Sequence, residues 1–280
     1  MEVLVAKSAG FCFGVKRAIN MAHNCACAGD GDIYTLGPII HNPQVVERLE
    51  SEGIYAKDGV EEISSGKVII RSHGVKLSTY REAETRGLDV IDATCPFVKK
   101  AQDLVSSLTD ESYTVVVVGE KDHPEVKGLL SYGSADILVA DSPEGLAGMS
   151  RKKKIGIVAQ TTLPMEKLQA VVNFCLGRAS EVKVFNTICN ATSIRQDESA
   201  ELARKVDRMI VVGGRNSANT RRLADICFSI QPRTLHIETA EELDPAWLKG
   251  AQRVGITSGA STPEWIISEV VEAVKEASSK

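Results

Sequence analysis

The 280-residue chain repeats itself three times, and that repeat limits its fold more than any single motif does. Three cysteines each precede a helix-like stretch: Cys12 before Phe13-Gly14-Val15-Lys16-Arg17-Ala18, Cys95 before Pro96-Phe97-Val98-Lys99-Lys100-Ala101, and Cys189 before Asn190-Ala191-Thr192-Ser193-Ile194. A β-like run then ends in glycine 25, 24 and 24 residues after the cysteine, and a polar side chain follows four residues later. These pairs are Gly37 with His41, Gly119 with His123, and Gly213 with Ser217. A second apolar run in each unit leads to His73, Thr161 and Ser261. One such match arises easily by chance; all of them in one order in three units does not.

Short β-branched runs alternate with helical stretches, as in a parallel sheet with helical crossovers. The candidate strands are 33–36, 68–71, 89–91, 114–118, 136–139, 155–159, 181–185, 209–212, 234–237 and 254–257. The first two units close with a strand leading into the next cysteine, whereas the third ends in a helix from Pro263 to Ala277. Its missing strand is available at 2–6, leading into Cys12. The expected fold is therefore α/β, a trefoil of three pseudo-threefold-related domains, each with a small, mainly parallel sheet. Its domains are 13–95, 96–189 and 190–280, the last completed by 1–12. The three cysteines, at equivalent strand ends, are expected to converge on the pseudo-threefold axis.

Composition removes several function classes. With 43% apolar and 25% charged residues the chain is an ordinary globular one. Its 33 basic against 37 acidic side chains, and 5% aromatics, argue against nucleic-acid binding. No apolar run approaches the roughly 20 residues of a membrane span, and the first residues show no signal peptide. A cytoplasmic protein is expected. Seven cysteines without a secretion signal make a poor disulfide framework, and no C-x-x-C pair exists. A small buried hydrophobe is the usual state of a free cysteine, and it suits most of the seven. Cys25 and Cys27 read as spare thiols at a helix end. The run Arg151-Lys152-Lys153-Lys154 reads as a solvated turn before a strand.

Three thiolates meeting at one point suit a [4Fe–4S] cluster with one iron left open, since such a cluster takes a cysteine per iron. A zinc ion with three cysteines and a histidine is the competing reading. His41, His73 and His123 occupy the same kind of place as Thr161, Ser217 and Ser261, at strand ends where parallel sheets bind ligands. With Asn219 and helix N-termini they describe a pocket for a multiply charged anion such as diphosphate. Neither a Walker loop nor a G-x-G-x-x-G fingerprint is present, so no bound nicotinamide or flavin is expected. Redox chemistry would then draw its electrons from a separate protein. Glu125, in His123-Pro124-Glu125, reads by composition as an ordinary helix-start carboxylate. Beside a cluster and an anion pocket it becomes the proton donor, with Thr161 as a relay.

These segments resemble the 4-hydroxy-3-methylbut-2-enyl diphosphate reductases, the LytB-like family. The resemblance is carried by Ala9-Gly10-Phe11-Cys12-Phe13-Gly14-Val15, Gly37-Pro38-Ile39-Ile40-His41-Asn42-Pro43, Arg71-Ser72-His73-Gly74, Asp92-Ala93-Thr94-Cys95-Pro96, His123-Pro124-Glu125-Val126, Gln160-Thr161-Thr162-Leu163, Asn186-Thr187-Ile188-Cys189 and Asn216-Ser217-Ala218-Asn219. They run in the family's order from residue 9 to Ser261. The resemblance implies one [4Fe–4S] cluster per chain on Cys12, Cys95 and Cys189, with an open iron, at the centre of a trefoil. It implies substrate contacts from His41, His73, His123, Thr161, Ser217, Asn219 and Ser261, and proton delivery by Glu125 aided by Thr161. The implied reaction is reductive dehydroxylation to isopentenyl and dimethylallyl diphosphate, the last step of the methylerythritol phosphate route. The electrons would come from an external donor such as ferredoxin or flavodoxin. Many members have serine where this chain has Ala218, so a side-chain hydroxyl contact there is lost. A zinc-dependent phosphoester hydrolase and an iron–sulfur sensor are the alternatives.

Overall fold

The computed structural model describes residues 1–28, 31–133 and 137–278. Along the chain come β1 (Glu2–Val5), α1 (Phe13–Ala28), β2 (Ile33–Leu36), α2 (Pro43–Ser51), β3 (Ile54–Lys57), β4 (Lys67–Ile70), α3 (Leu77–Thr85) and β5 (Asp89–Asp92). Next are α4 (Pro96–Asp110), β6 (Thr114–Val118), α5 (Pro124–Leu130), β7 (Leu138–Ala140), β8 (Lys152–Ala159), α6 (Met165–Leu176) and β9 (Ala179–Phe185). The last stretch holds α7 (Asn190–Ala203), β10 (Arg208–Val212), α8 (Ala218–Ile230), β11 (Thr234–Ile237), β12 (Arg253–Ser258) and α9 (Glu264–Ser278).

The strands form three four-stranded, all-parallel sheets of one topology. Their orders are β3-β2-β4-β5, β7-β6-β8-β9 and β11-β10-β12-β1. In the third sheet the place of β5 and β9 is taken by β1, which pairs with β12 from Glu2↔Arg253 to Val5↔Ile256. A short 3-10 turn follows each sheet's first edge strand, at Val60–Glu62, Pro143–Leu146 and Ala240–Glu242. One sheet lies in each of the segments 13–95 and 96–189, and one in the segment from 190 on together with β1. By compactness the chain divides into two units. One comprises Met1–Lys16, Ile40–Arg48 and Asn190–Lys280; the other comprises Arg17–Ile39 and Leu49–Cys189.

Valine-rich strands fold this way because both their faces find apolar cover. Val116 and Val118 of β6 pack with Leu168 and Val171 of α6. Val115 and Val117, on the opposite face, pack with Val105 and Leu108 of α4 and Leu129 of α5. The third sheet does the same: Ile210 and Val212 face α9, while Met209 and Val211 face Leu223 and Cys227 of α8. Burying one such side chain contributes about 1.5–3 kcal/mol.

Three strand readings change. β3 is unforeseen, because Ile54-Tyr55-Ala56-Lys57 is a short edge strand whose Tyr55 is exposed and whose apolar pattern is weak. The basic run is no turn: β8 begins at Lys152, paired with Ala179 of β9, and Lys154 lies 4.9 Å from the centre of the Tyr113 ring. Of the candidate strand 136–139, Asp136 lies outside the described residues, and β7 starts at Leu138.

Candidate active site

Each of the three repeat cysteines is the residue immediately before a helix: Cys12 before α1, Cys95 before α4, Cys189 before α7. Their backbone N–H groups donate to the carbonyls of Ala260, Ser72 and Thr161, at 3.2, 2.9 and 2.9 Å. None of the three is in a disulfide, and all are half-buried. A helix N-terminus favours negative charge, as a metal-bound thiolate carries. Cys175 and Cys227 are instead core residues, and burial pushes the Cys227 thiol up to about 12. Cys25 and Cys27 lie in the last turn of α1.

These backbone bonds refine the repeat by one residue. Thr161 accepts from its cysteine as Ser72 and Ala260 do, so Thr162 stands where His73 and Ser261 stand. The helix-start position also shifts in the first repeat. His123 caps α5 and Ser217 caps α8, but α2 is capped by Asn42, whose Oδ1 accepts from Val45 N–H at 3.0 Å. The loop from Gly37 is one residue longer, which leaves His41 just ahead of the cap.

Within the unit holding Arg17–Ile39 and Leu49–Cys189, six of the named residues are linked, Cys95 through Ser72. Glu125 is only 1% exposed. Its Oε1 accepts from Thr161 N–H at 2.6 Å and its Oε2 from the Thr161 hydroxyl at 2.8 Å. Burial raises its pKa from 4.5 to about 7, against the pull of both Thr161 donors. A carboxylate serving only the helix dipole would face solvent; this one is turned inward. Glu125 N–H donates to His123 Nδ1 at 3.1 Å, so the ring proton sits on Nε2. The His73 and His123 rings meet edge to face, centroids 5.8 Å apart. His73 follows Ser72, which holds Cys95; Thr161 holds Cys189.

The other unit carries Cys12, His41, Ser217, Asn219 and Ser261. The Ser261 hydroxyl donates to the His41 carbonyl at 3.4 Å. A side chain at Gly214 would put its Cβ 2.6 Å from that same carbonyl oxygen, so glycine permits the approach. Ser217 and Asn219 flank the first residue of α8, 6% and 7% exposed. Both Oδ1 and Nδ2 of Asn219 are buried without a hydrogen-bond partner. Such groups are costly unless a ligand or water satisfies them. Sequence reasoning missed two neighbours of the same kind, Asn42 with its Nδ2 and Thr220 with its hydroxyl. Asn42 was legible as the polar residue before Pro43; Thr220 carries no such signal. Ala218 is buried at the first position of α8, where its backbone N–H remains a donor.

The family described as "LytB protein" matches residues 3–275. The chain belongs to the LytB family. It is 56% identical over 280 residues to the 4-hydroxy-3-methylbut-2-enyl diphosphate reductase of Geobacter sulfurreducens, covering 100% of this chain and 99% of that one. It is also 56% identical to the enzyme of the same name in Pelobacter propionicus, with both chains fully covered. A solved structure of (E)-4-hydroxy-3-methyl-but-2-enyl diphosphate reductase, the terminal enzyme of the non-mevalonate pathway, is 49% identical with a TM-score of 0.75, covering 99% and 100% of the two chains. The Plasmodium falciparum reductase structure is 28% identical with a TM-score of 0.91, covering 97% and 87%. The LytB fold is thus the α/β arrangement of three small parallel sheets described above.

The donor set of this LytB chain fits an iron–sulfur cluster. It offers three cysteines in one structural role, none in a disulfide, each at a helix start and each with its own N–H already bonded. Among the described residues, no three His, Cys, Asp or Glu side chains gather closely enough to share a single metal ion. A cluster does not require that, because each cysteine binds a different iron.

Proposed function

We propose that the chain is a 4-hydroxy-3-methylbut-2-enyl diphosphate reductase. It would take the allylic alcohol, two electrons and two protons to water and isopentenyl or dimethylallyl diphosphate, closing the methylerythritol phosphate route. The observation that carries this reading is the buried Glu125 carboxyl, held by both donors of Thr161, the residue whose carbonyl holds Cys189. It supports a proton source bonded to the residue whose carbonyl would anchor a cluster ligand, in a chain of the LytB family.

Cys12, Cys95 and Cys189 would hold a [4Fe–4S] cluster, which when bound supplies electrons and an open Lewis-acidic iron. The chain's own residues do the rest. Glu125, with a pKa of about 7, is roughly half protonated at neutral pH and can give a proton to the departing hydroxyl oxygen. The Thr161 hydroxyl fixes that carboxyl's orientation. His123, its ring held by the Glu125 N–H at Nδ1, would contribute to the diphosphate contacts. His41, His73, Ser217, Asn219 and Ser261 complete the anion contacts, Asn219 bringing two polar groups that await partners. Binding through the diphosphate excludes water from the reacting end. Electrons come from an external carrier of the ferredoxin or flavodoxin type. Among the described residues, no helix is long and apolar enough to cross a membrane; a cytoplasmic location is part of the proposal.

The test is anaerobic purification with iron and sulfide analysis, followed by turnover under a strong one-electron reductant. A brown protein with four irons that yields both five-carbon diphosphates supports the reading. A colourless protein that releases phosphate from the substrate overturns it in favour of a hydrolase. A brown one that binds substrate without converting it favours a sensor.

A further inference from the structure

Two arginines outside the substrate contacts occupy one role in the repeat. Arg17 lies on α1, the helix that starts directly after Cys12. Its guanidinium donates at 3.2 Å to the carbonyl of Thr94, in the loop that delivers Cys95, and at 3.3 Å to that of Asp92, the last residue of β5. Arg195 lies on α7, the helix that starts directly after Cys189. It is 4% exposed and donates to the carbonyls of Ser8 and Gly10, the latter at 2.9 Å, in the loop that delivers Cys12. In both cases the helix beginning at one cysteine grips two carbonyls ahead of the next.

The fit is chemical as well as positional. Loop carbonyls have no ladder to bond to, and a guanidinium is a rigid, permanently charged fork that can take two at once. The partner N–H groups of the Cys12 loop are also bound from α7, where Glu198 accepts from Lys7 and Ser8 N–H at 2.6 and 2.8 Å. In the Cys95 loop, Asp92 accepts from Thr94 N–H at 3.0 Å and pairs with Lys99. The loop before Cys189 is fastened differently. There Thr187 Oγ1 accepts from Ala159 N–H at 2.8 Å and donates to the carbonyl of Ala159. A ligand loop without such ties would have to be ordered at the moment of binding, at an entropic cost.

We propose that Arg17 and Arg195 are positioning residues, preorganising the thiols of Cys95 and Cys12 respectively. Loosening one of these arginines is felt at the cysteine next in the order Cys189, Cys12, Cys95, and not at the others. The proposal rests on reading these cysteines as cluster ligands.

The test is cysteine-resolved alkylation of the full-length, chelator-stripped chain with iodoacetamide, read by mass spectrometry. Arg17→Gln should raise the labelling rate of Cys95 by roughly tenfold or more, leaving Cys12 and Cys189 within about twofold of the parent. Arg195→Gln should do the same to Cys12 alone, and Arg17→Lys should restore part of the protection. The core thiols Cys175 and Cys227 report global unfolding. Should buried Arg195 prove too disruptive by that measure, half-buried Arg17 decides the matter. Unchanged labelling at Cys95 in Arg17→Gln, or an equal rise at all three cysteines, overturns the proposal. Iron loss to a chelator from the reconstituted protein should quicken in the same variants. A parent that binds no iron would instead defeat the cluster reading, while the labelling result would still stand.

Discussion

Thr161 gives both of its hydrogen-bond donors to Glu125, its N–H to one carboxyl oxygen at 2.6 Å and its hydroxyl to the other at 2.8 Å. Burial nonetheless wins, and the carboxyl titrates near 7 rather than 4.5. The acid form is therefore present below about pH 7 and disappears above it. Turnover should fall as pH rises through 7, and Glu125→Gln should lower it by roughly 10²–10⁴-fold and remove that limb. A pH–rate profile of parent and variant checks this.

The same shift has a consequence for stability. Between about 4.5 and 7 the folded chain keeps a proton that the unfolded chain has lost. The carboxyl's favourable contribution is complete below 4.5 and is lost as pH rises through 7. Glu125→Gln should therefore be more stable than the parent well above pH 7, by on the order of 3 kcal/mol, and show no such advantage near pH 4. Urea unfolding at the two pH values measures it.

Thr161→Val keeps the shape and the N–H donor but deletes the hydroxyl. Losing a bond that favours the ionised carboxyl should move the alkaline limb to higher pH. Stability should change by about 1–3 kcal/mol, since a buried oxygen loses its partner. An unmoved limb would show that the hydroxyl does not bear on Glu125.

Asn219→Ala separates binding from folding. In the free protein neither polar atom of its side chain has a partner, so removing it costs no internal hydrogen bond. The melting temperature should hold or rise, while substrate affinity falls roughly ten- to a hundredfold. Calorimetric melting and substrate titration give both numbers.

Much of the fold was legible because the repeat is written in residues that obey simple rules. Val115 to Val118 must find cover on two faces, and the absent fourth strand of the last repeat pointed to Glu2–Val5. What escaped depended on tertiary partners. β3 is a weakly apolar edge, and the lysines of β8 are in a strand only because β9 pairs with them. Asn42 stood in view before Pro43, but its displacement of His41 from the cap, and the one-residue shift at Thr161, emerge only from the hydrogen bonds of the folded chain. Glu125 could be named from its neighbours His123 and Pro124, but its burial and its pairing with Thr161 had no local signature.

Serine in place of Cys12, Cys95 or Cys189 should sharply reduce iron content and activity. Serine for Cys25 or Cys27 should leave both intact. At Cys175 and Cys227, core positions, serine should cost stability rather than iron. Iron per folded chain distinguishes the two groups.

Cys12, Cys95 and Cys189 are proposed to hold a cluster whose fourth iron is open to the substrate. Mössbauer spectra of the anaerobically prepared protein, with and without 4-hydroxy-3-methylbut-2-enyl diphosphate, test it most directly. One iron in four should differ from the rest and change its parameters when the diphosphate is added. Four irons that ignore the substrate, or a protein without iron, would rule out an open iron at Cys12, Cys95 and Cys189.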